Sequence, residues 1–235
     1  MYNSYGLYNW RKNQLKDNNI RVLWYLSHID NFSSILRRGI LPKNIVEKSM
    51  DSSKSFADEK VQSIRHKKSV YLTNKMNMNI HDLVPLYFTT KTPTLYARKD
   101  MQDNFFYCQI GAFFLCKEKY NFSFFDGNAA SKYSKAYTDL RKLSELPWHV
   151  IRSRNTYTGD SDYKRKKCAE ILIHPSIPTK RIYRIYVNNE NTEKRIISDI
   201  DQYISESPPH STNILWAKDI LNRVLIDEKN DHFFE

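Results

Sequence analysis

Apolar residues in this chain fall mostly into short runs of strand length, separated by polar stretches. Arg21–Leu26 (RVLWYL) reads as a buried strand that ends at Ser27 and His28. Beyond it Phe32, Ile35 and Leu36 share one helical face, with Asp30 placed to cap and Gly39 to stop, so a helix is predicted up to Arg38. Residues 47–60 are polar and charged, an exposed loop leading into a helix near Ala57–Lys67. A strand is expected around Val70–Leu72, another in His81–Phe88 (HDLVPLYF), and a short helix over Lys91–Ala97. Phe105–Cys116 (FFYCQIGAFFLC) carries the strongest central-strand signal. Phe122–Phe125 is a further strand, closed by the turn residues Asp126, Gly127 and Asn128.

Helices follow near Lys132–Leu143 and Trp148–Arg154, and residues 155–167 are a loop by composition. Cys168–His174 and Arg181–Val187 read as strands. Helices over Glu193–Tyr203 and Ile214–Val224 and a short strand at Val224–Ile226 complete the chain. Residues 1–19, polar and aromatic by turns, are expected to form a loosely docked arm. No repeat and no βαβ regularity occurs, so one α+β domain over 20–235 is predicted.

Composition allows this domain a real core, with 40% hydrophobic and 14% aromatic residues, and argues against disorder. Charge is unevenly spread. Residues 190–235 hold ten acids and five bases, whereas the rest holds sixteen acids and thirty-two bases. The body near +16 favours a polyanionic partner through counterion release. The acidic extension, 190–235, is expected either to pack on the domain or to mask its basic groove. Cys108, Cys116 and Cys168 are odd in number and widely spaced, which suits reduced thiols and not a disulfide framework or a zinc site. The first residues hold no apolar run, and nowhere do 18 apolar residues follow one another; a cytoplasmic protein without a membrane span is expected.

Five glycines supply neither a phosphate loop nor a dinucleotide fingerprint, so any dinucleotide binds without a Rossmann unit. Glu170 stands out as the acid inside an apolar strand, just after the four cations Lys164–Lys167. It suits a catalytic carboxylate beside a polyanion, or the more ordinary outward-facing partner for a neighbouring lysine. Arg65 in QSIRHKK is a phosphate clamp or a solvated helix end. His28 is a ligand contact or a structural hydrogen-bonder, and Tyr87 and Tyr96 are stacking platforms or core.

Five collinear blocks reach further. WYLSHIDNFSSILRRGIL (24–41), VQSIRHKK (61–68), HDLVPLYFTTKTPTLY (81–96), FDGNAA (125–130) and KRKKCAEILIHPSIP (164–178) resemble the DarT family, the DNA ADP-ribosyltransferase toxins of bacterial toxin–antitoxin pairs. The resemblance implies a split pair of antiparallel sheets with flanking helices, and NAD as co-substrate in the cleft between them. It implies Glu170 as the catalytic acid and Arg65 as the residue that grips NAD and assists the chemistry. Ser27, His28 and Asn31 fall on the NAD-binding segment, and Tyr87 and Tyr96 on the nicotinamide side. Lys164 and Arg165 occupy the loop that handles substrate, where Lys166 would also follow phosphates and Tyr157 or Tyr163 would stack on a base. No metal is implied. A macrodomain antitoxin is the implied partner, and a monomer the expected state.

Four departures stand out: Tyr25 replaces the family's first His, Ile64 the first Arg of a pair, Thr94 a Met and Cys168 a common Gln. Arg65 and Glu170 are both retained. The expected reaction joins ADP-ribose to a base of single-stranded DNA, a ring nitrogen of thymine being the leading choice. Guanine, RNA or protein as acceptor, and a catalytically silent strand-binding module, are the rival readings.

Overall fold

The computed structural model of the chain describes residues 4–49, 58–154, 159–208 and 212–234. Among these, ten strands form: β1 Val22–His28, β2 Ser69–Tyr71, β3 Asn77–Asn79, β4 Val84–Tyr87, β5 Phe105–Gly111, β6 Asn121–Phe125, β7 Ala136–Tyr137, β8 Glu170–His174, β9 Ile182–Val187 and β10 Val224–Ile226. Eight of them make one sheet in the order β10-β9-β5-β1-β4-β8-β6-β7, and β2 with β3 makes a separate pair. All neighbours are antiparallel except β10 and β9.

The large sheet is nearly cut in two. β1 pairs with β5 along its whole length, from Val22↔Gly111 to His28↔Phe105, and β4 pairs fully with β8. Between β1 and β4, however, the register holds at one position, Trp24↔Tyr87. The expected split thus takes the form of two four-stranded halves that share one seam. Mixed helix and antiparallel sheet is the class predicted from the sequence.

Alternation along each central strand places the core. In β5, Phe106 and Cys108 face a cluster with Phe32, Ile196 and Ile200, while Phe105 and Tyr107 face another with Trp24, Leu95 and Phe233. Burial on both faces is why β5 looks so apolar in sequence. It nevertheless ends at Gly111, and Ala112–Cys116 continues as a 3-10 turn, because periodicity in an all-apolar run cannot mark that boundary. In β8, Ile171 and Ile173 face the main cluster, and Leu172 faces the small one built on Val70, Leu72, Ile80 and Phe125. Glu170 shares the parity of Leu172 and lies on that side.

Several expectations are corrected. The supposed arm contains a helix, Ser4–Asp17, with Leu15 buried. Its Arg11 donates to the carbonyls of Leu115 (2.9 Å) and Tyr120 (3.4 Å), contacts that no local pattern announces. Asp30 does not cap the helix Phe32–Arg38; it pairs with Arg195, and Asn31 precedes the helix without a side-chain cap. Gly39 does stop that helix, at φ 82°, where a Cβ would lie 2.5 Å from the Ile177 carbonyl. The stretch Lys132–Leu143 holds β7 and a 3-10 turn, Leu140–Glu145, instead of one helix. The stacked Phe124–Tyr137 pair draws β7 to the sheet edge. Part of the predicted loop at 155–167 is a helix, Ser161–Lys167, started by Asp160, whose carboxylate accepts from the Asp162 amide (2.8 Å).

The acidic segment packs on the body. Helix Glu190–Glu206 buries Ile196, Ile200 and Tyr203, and its Glu206 meets Arg37 at 2.6 Å. Asp227 then accepts the amides of Asp231, His232 and Phe233, and Gln102 brackets the backbone of Phe234 from both sides. Among the described residues no helix is long and apolar enough to cross a membrane.

Candidate active site

Glu170 opens β8 opposite Tyr87 of β4. Helix Glu59–His66, capped by the Asp58 carboxylate on the amides of Lys60 and Val61, carries Arg65 to the same point. Arg65 donates through Nη1 to Oε1 of Glu170 (2.9 Å) and through Nη2 to Oε2 (3.1 Å). The Ala129 amide donates to Oε1 as well, at 2.8 Å. Glu170 is 1% exposed and Arg65 8%, so this fork-to-fork pair is desolvated and geometrically fixed. Removing one member of such a pair costs about 3–5 kcal/mol through the charge left behind. Arg65 was expected to hold pyrophosphate with its fork; here that fork faces the carboxylate.

A cleft of about 710 Å³ opens over the pair. Ser27 and Asn31 lie on its wall, joined by an Asn31 Nδ2 to Ser27 Oγ bond of 3.2 Å, and Tyr87 lies on it too. Tyr87 donates to Thr94 Oγ1 at 3.4 Å, and burial pushes its phenol well above the usual range. Tyr25, in place of the family's His, also lines the wall, and burial pushes its phenol up to about 12. Both are hydroxyl donors, not anions, at neutral pH.

Two expected contacts lie elsewhere. The His28 ring is off the cleft wall: its Nδ1 accepts the Asp30 amide (3.2 Å) and its edge meets Phe105. Tyr96 packs edge-on against Phe234, also away from the wall.

The cation run is not one surface, because helical geometry turns its members apart. Lys164 and Arg165 reach the cleft, but the Arg165 guanidinium is held by Asp126 and Asp162, both at 2.8 Å. Lys166 pairs with Asp162 (2.6 Å) and lies off the wall, as does Tyr163. Lys167 is buried and donates to the carbonyls of Ile151 and Ser153. Tyr157 lies outside the described residues.

Sequence reasoning missed three members of this site. Ala129 acts through its backbone, which no residue type reveals, although FDGNAA contains it. Lys68 and His81 stand inside quoted blocks, and their spacing to Arg65 and Tyr87 was the available signal. His81 lies on the wall with Nε2 buried and, among the described residues, unpaired. Burial, and then the nearby Lys43 and Arg65 cations, depress its pKa to about 4. Between pH 6.5 and about 4 the unfolded chain binds a proton that the folded chain refuses, so stability falls as pH falls. Relative to His81→Gln, the native protein is expected to lose roughly 1–2 kcal/mol more between pH 7 and pH 5. Urea unfolding at both pH values checks this; equal losses would refute it.

Residues 24–217 match the family model described as DarT, ssDNA thymidine ADP-ribosyltransferase. A DNA ADP-ribosyl transferase of Thermus sp. (strain 2.9) is 25% identical over 189 residues, covering 77% of this chain and 88% of that protein. A DNA ADP-ribosyl transferase–DNA ADP-ribosyl glycohydrolase fusion protein of Thermosipho africanus is 24% identical over 185 residues, 75% of this chain and 45% of its own. In structure, the Thermus sp. 2.9 DarT complex with ADP-ribosylated ssDNA superposes with TM-score 0.73 at 23% identity, over 90% of this chain and 96% of that one. The complex of the same protein with NAD+ gives 0.68 at 22%, over 89% and 96%.

Proposed function

The chain belongs to the DarT family of single-stranded-DNA thymidine ADP-ribosyltransferases, and from that premise we propose how its cleft performs the transfer. The observation that carries the reading is the buried Glu170–Arg65 fork on the wall of a cleft large enough for a dinucleotide. NAD lies against Ser27, Asn31 and Tyr87, and the strand enters past Lys164.

The bond from the anomeric carbon to the nicotinamide nitrogen breaks, and its electron pair leaves with nicotinamide. The ribose carbon is left with oxocarbenium character, as in glycoside cleavage. A carboxylate already desolvated and aimed stabilises that charge without reorganising. Thymine N3 then attacks the carbon, and its proton passes to Glu170, since a ring N–H is a poor nucleophile without a base in reach. Arg65 fixes the plane of the carboxylate until substrate arrives. Thymine N3 lies on the pairing edge, which a duplex hides; an unpaired strand presents it without the few kcal/mol that flipping needs.

A DNA substrate supports action in the cytoplasm. The fusion of transferase and glycohydrolase in the Thermosipho relative supports a separate macrodomain hydrolase that removes the mark. The test is a panel of oligonucleotides with NAD: thymine-containing DNA, thymine-free DNA containing guanine, the corresponding RNA, and a duplex. One ADP-ribose is expected on thymine of unpaired DNA alone, read by mass and mapped to the atom. Modification of the thymine-free strand or of RNA would reassign the acceptor, and absence of nicotinamide release would remove the activity.

A further inference from the structure

We propose that Lys68 is a positioning residue for the transfer, holding the turn whose amide fixes the Glu170 carboxylate. The inference rests on Glu170 being the catalytic carboxylate. Among the described residues three bonds hold the Glu170 carboxylate: two come from Arg65 and the third from the Ala129 amide. A backbone donor aims only as well as the turn that carries it. The turn at 128–131 has its own internal bond, from the Ala130 amide to Asn128 Oδ1 at 2.8 Å. On one side the Asn128 amide donates to the Arg165 carbonyl (3.0 Å).

On the other side the anchor is the Lys68 ammonium. Lys68 Nζ donates to the Ala129 carbonyl at 2.5 Å and to the Ser131 carbonyl at 3.1 Å, with the Phe125 ring beneath it at 5.6 Å. The same residue is joined to Arg65, because its amide donates to the Arg65 carbonyl (3.2 Å). Lys68 therefore couples both donors of Glu170. It holds the peptide next to the one that supplies the first, and it follows directly on the helix that supplies the other. An ammonium suits this place, since its compact head offers three donors to carbonyls that approach from different directions. Burial lowers the Lys68 pKa, while the Glu170 charge works in the opposite sense.

A loop staple with no bearing on catalysis would lower stability and leave turnover alone, so the two roles separate by measurement. Lys68→Met keeps the apolar stem over Phe125 and removes every donor. Its kcat for transfer to a thymine oligonucleotide should fall roughly 10- to 100-fold, because a small misplacement near the chemistry has that effect. KM for NAD should stay within about threefold, since Ser27, Asn31 and Tyr87 are untouched. Lys68→Arg, which keeps a cation with several donors, should recover part of the loss.

Turnover within about twofold of wild type, a loss confined to KM, or an Arg variant no better than Met would each overturn the proposal. If the Met variant does not fold, Lys68→Leu, which also has no donor, carries the same comparison, and near-normal kcat in it is equally fatal. Wild-type enzyme run alongside separates the two readings: normal wild-type transfer with an unaffected Met variant rejects only the role of Lys68. Absent wild-type transfer rejects the assigned reaction first.

Discussion

Glu170→Gln should reduce ADP-ribose transfer by about 10³-fold or more while NAD binding stays within a few-fold of normal. Gln has the shape of Glu and still offers a carbonyl oxygen to the Ala129 amide and to one arm of Arg65. It lacks the charge that steadies the oxocarbenium, and it lacks the basicity to take the thymine proton. Alanine is a poorer probe. It would leave the Arg65 guanidinium buried at 8% exposure without its anion, and the structural loss would be confused with a chemical one. Single-turnover assays with labelled NAD, together with titration of NAD binding, measure both quantities. A Gln variant with a tenth of native turnover would remove Glu170 from the chemistry.

The second large effect is expected from Arg65→Lys. Lysine keeps the positive charge but not the planar fork, so it can meet one carboxylate oxygen at a time. Oε2 of Glu170, which has Arg65 as its partner, then loses its fixed direction. A fall in kcat of roughly 10²- to 10³-fold is anticipated, comparable to removing one preorganised donor from a charge-stabilising site. The melting temperature should fall less than for Arg65→Ala, because the buried carboxylate retains a cation. If the Lys and Ala variants were equally active, or if Lys matched wild type, orientation by the fork would have no role.

Much of this arrangement could be read from residues. The strands around Glu170, the helix that delivers Arg65 and the stop at Gly39 follow from periodicity and capping. The partnership of Glu170 with Arg65 does not, since 105 positions separate them and the pairing is decided by tertiary packing. Composition misled at 161–167, where Asp160 and the pairing of Asp162 with Arg165 and Lys166 support a helix in a segment that reads as loop. The run of four cations reads as a place to hold a polyanion. Helical geometry sends Lys167 into the interior and ties Arg165 and Lys166 to acids. Tyr96 and His28 sit inside matching blocks, yet their side chains stabilise neighbouring backbone and core instead of lining the cleft. A motif fixes the order of residues along a chain; it does not fix where each side chain points.

The seam at Trp24 and Tyr87 has one more implication. Tyr25 and Ser27 belong to the half-sheet on one side of it, and Tyr87 and Glu170 to the half on the other. A dinucleotide that touches both acts as a crossbar between panels whose strands are paired at one position. Backbone amides flanking the seam should then exchange with solvent faster than those inside either panel, and slow down together when NAD is bound. Substrate would thus be part of the scaffold as well as its cargo.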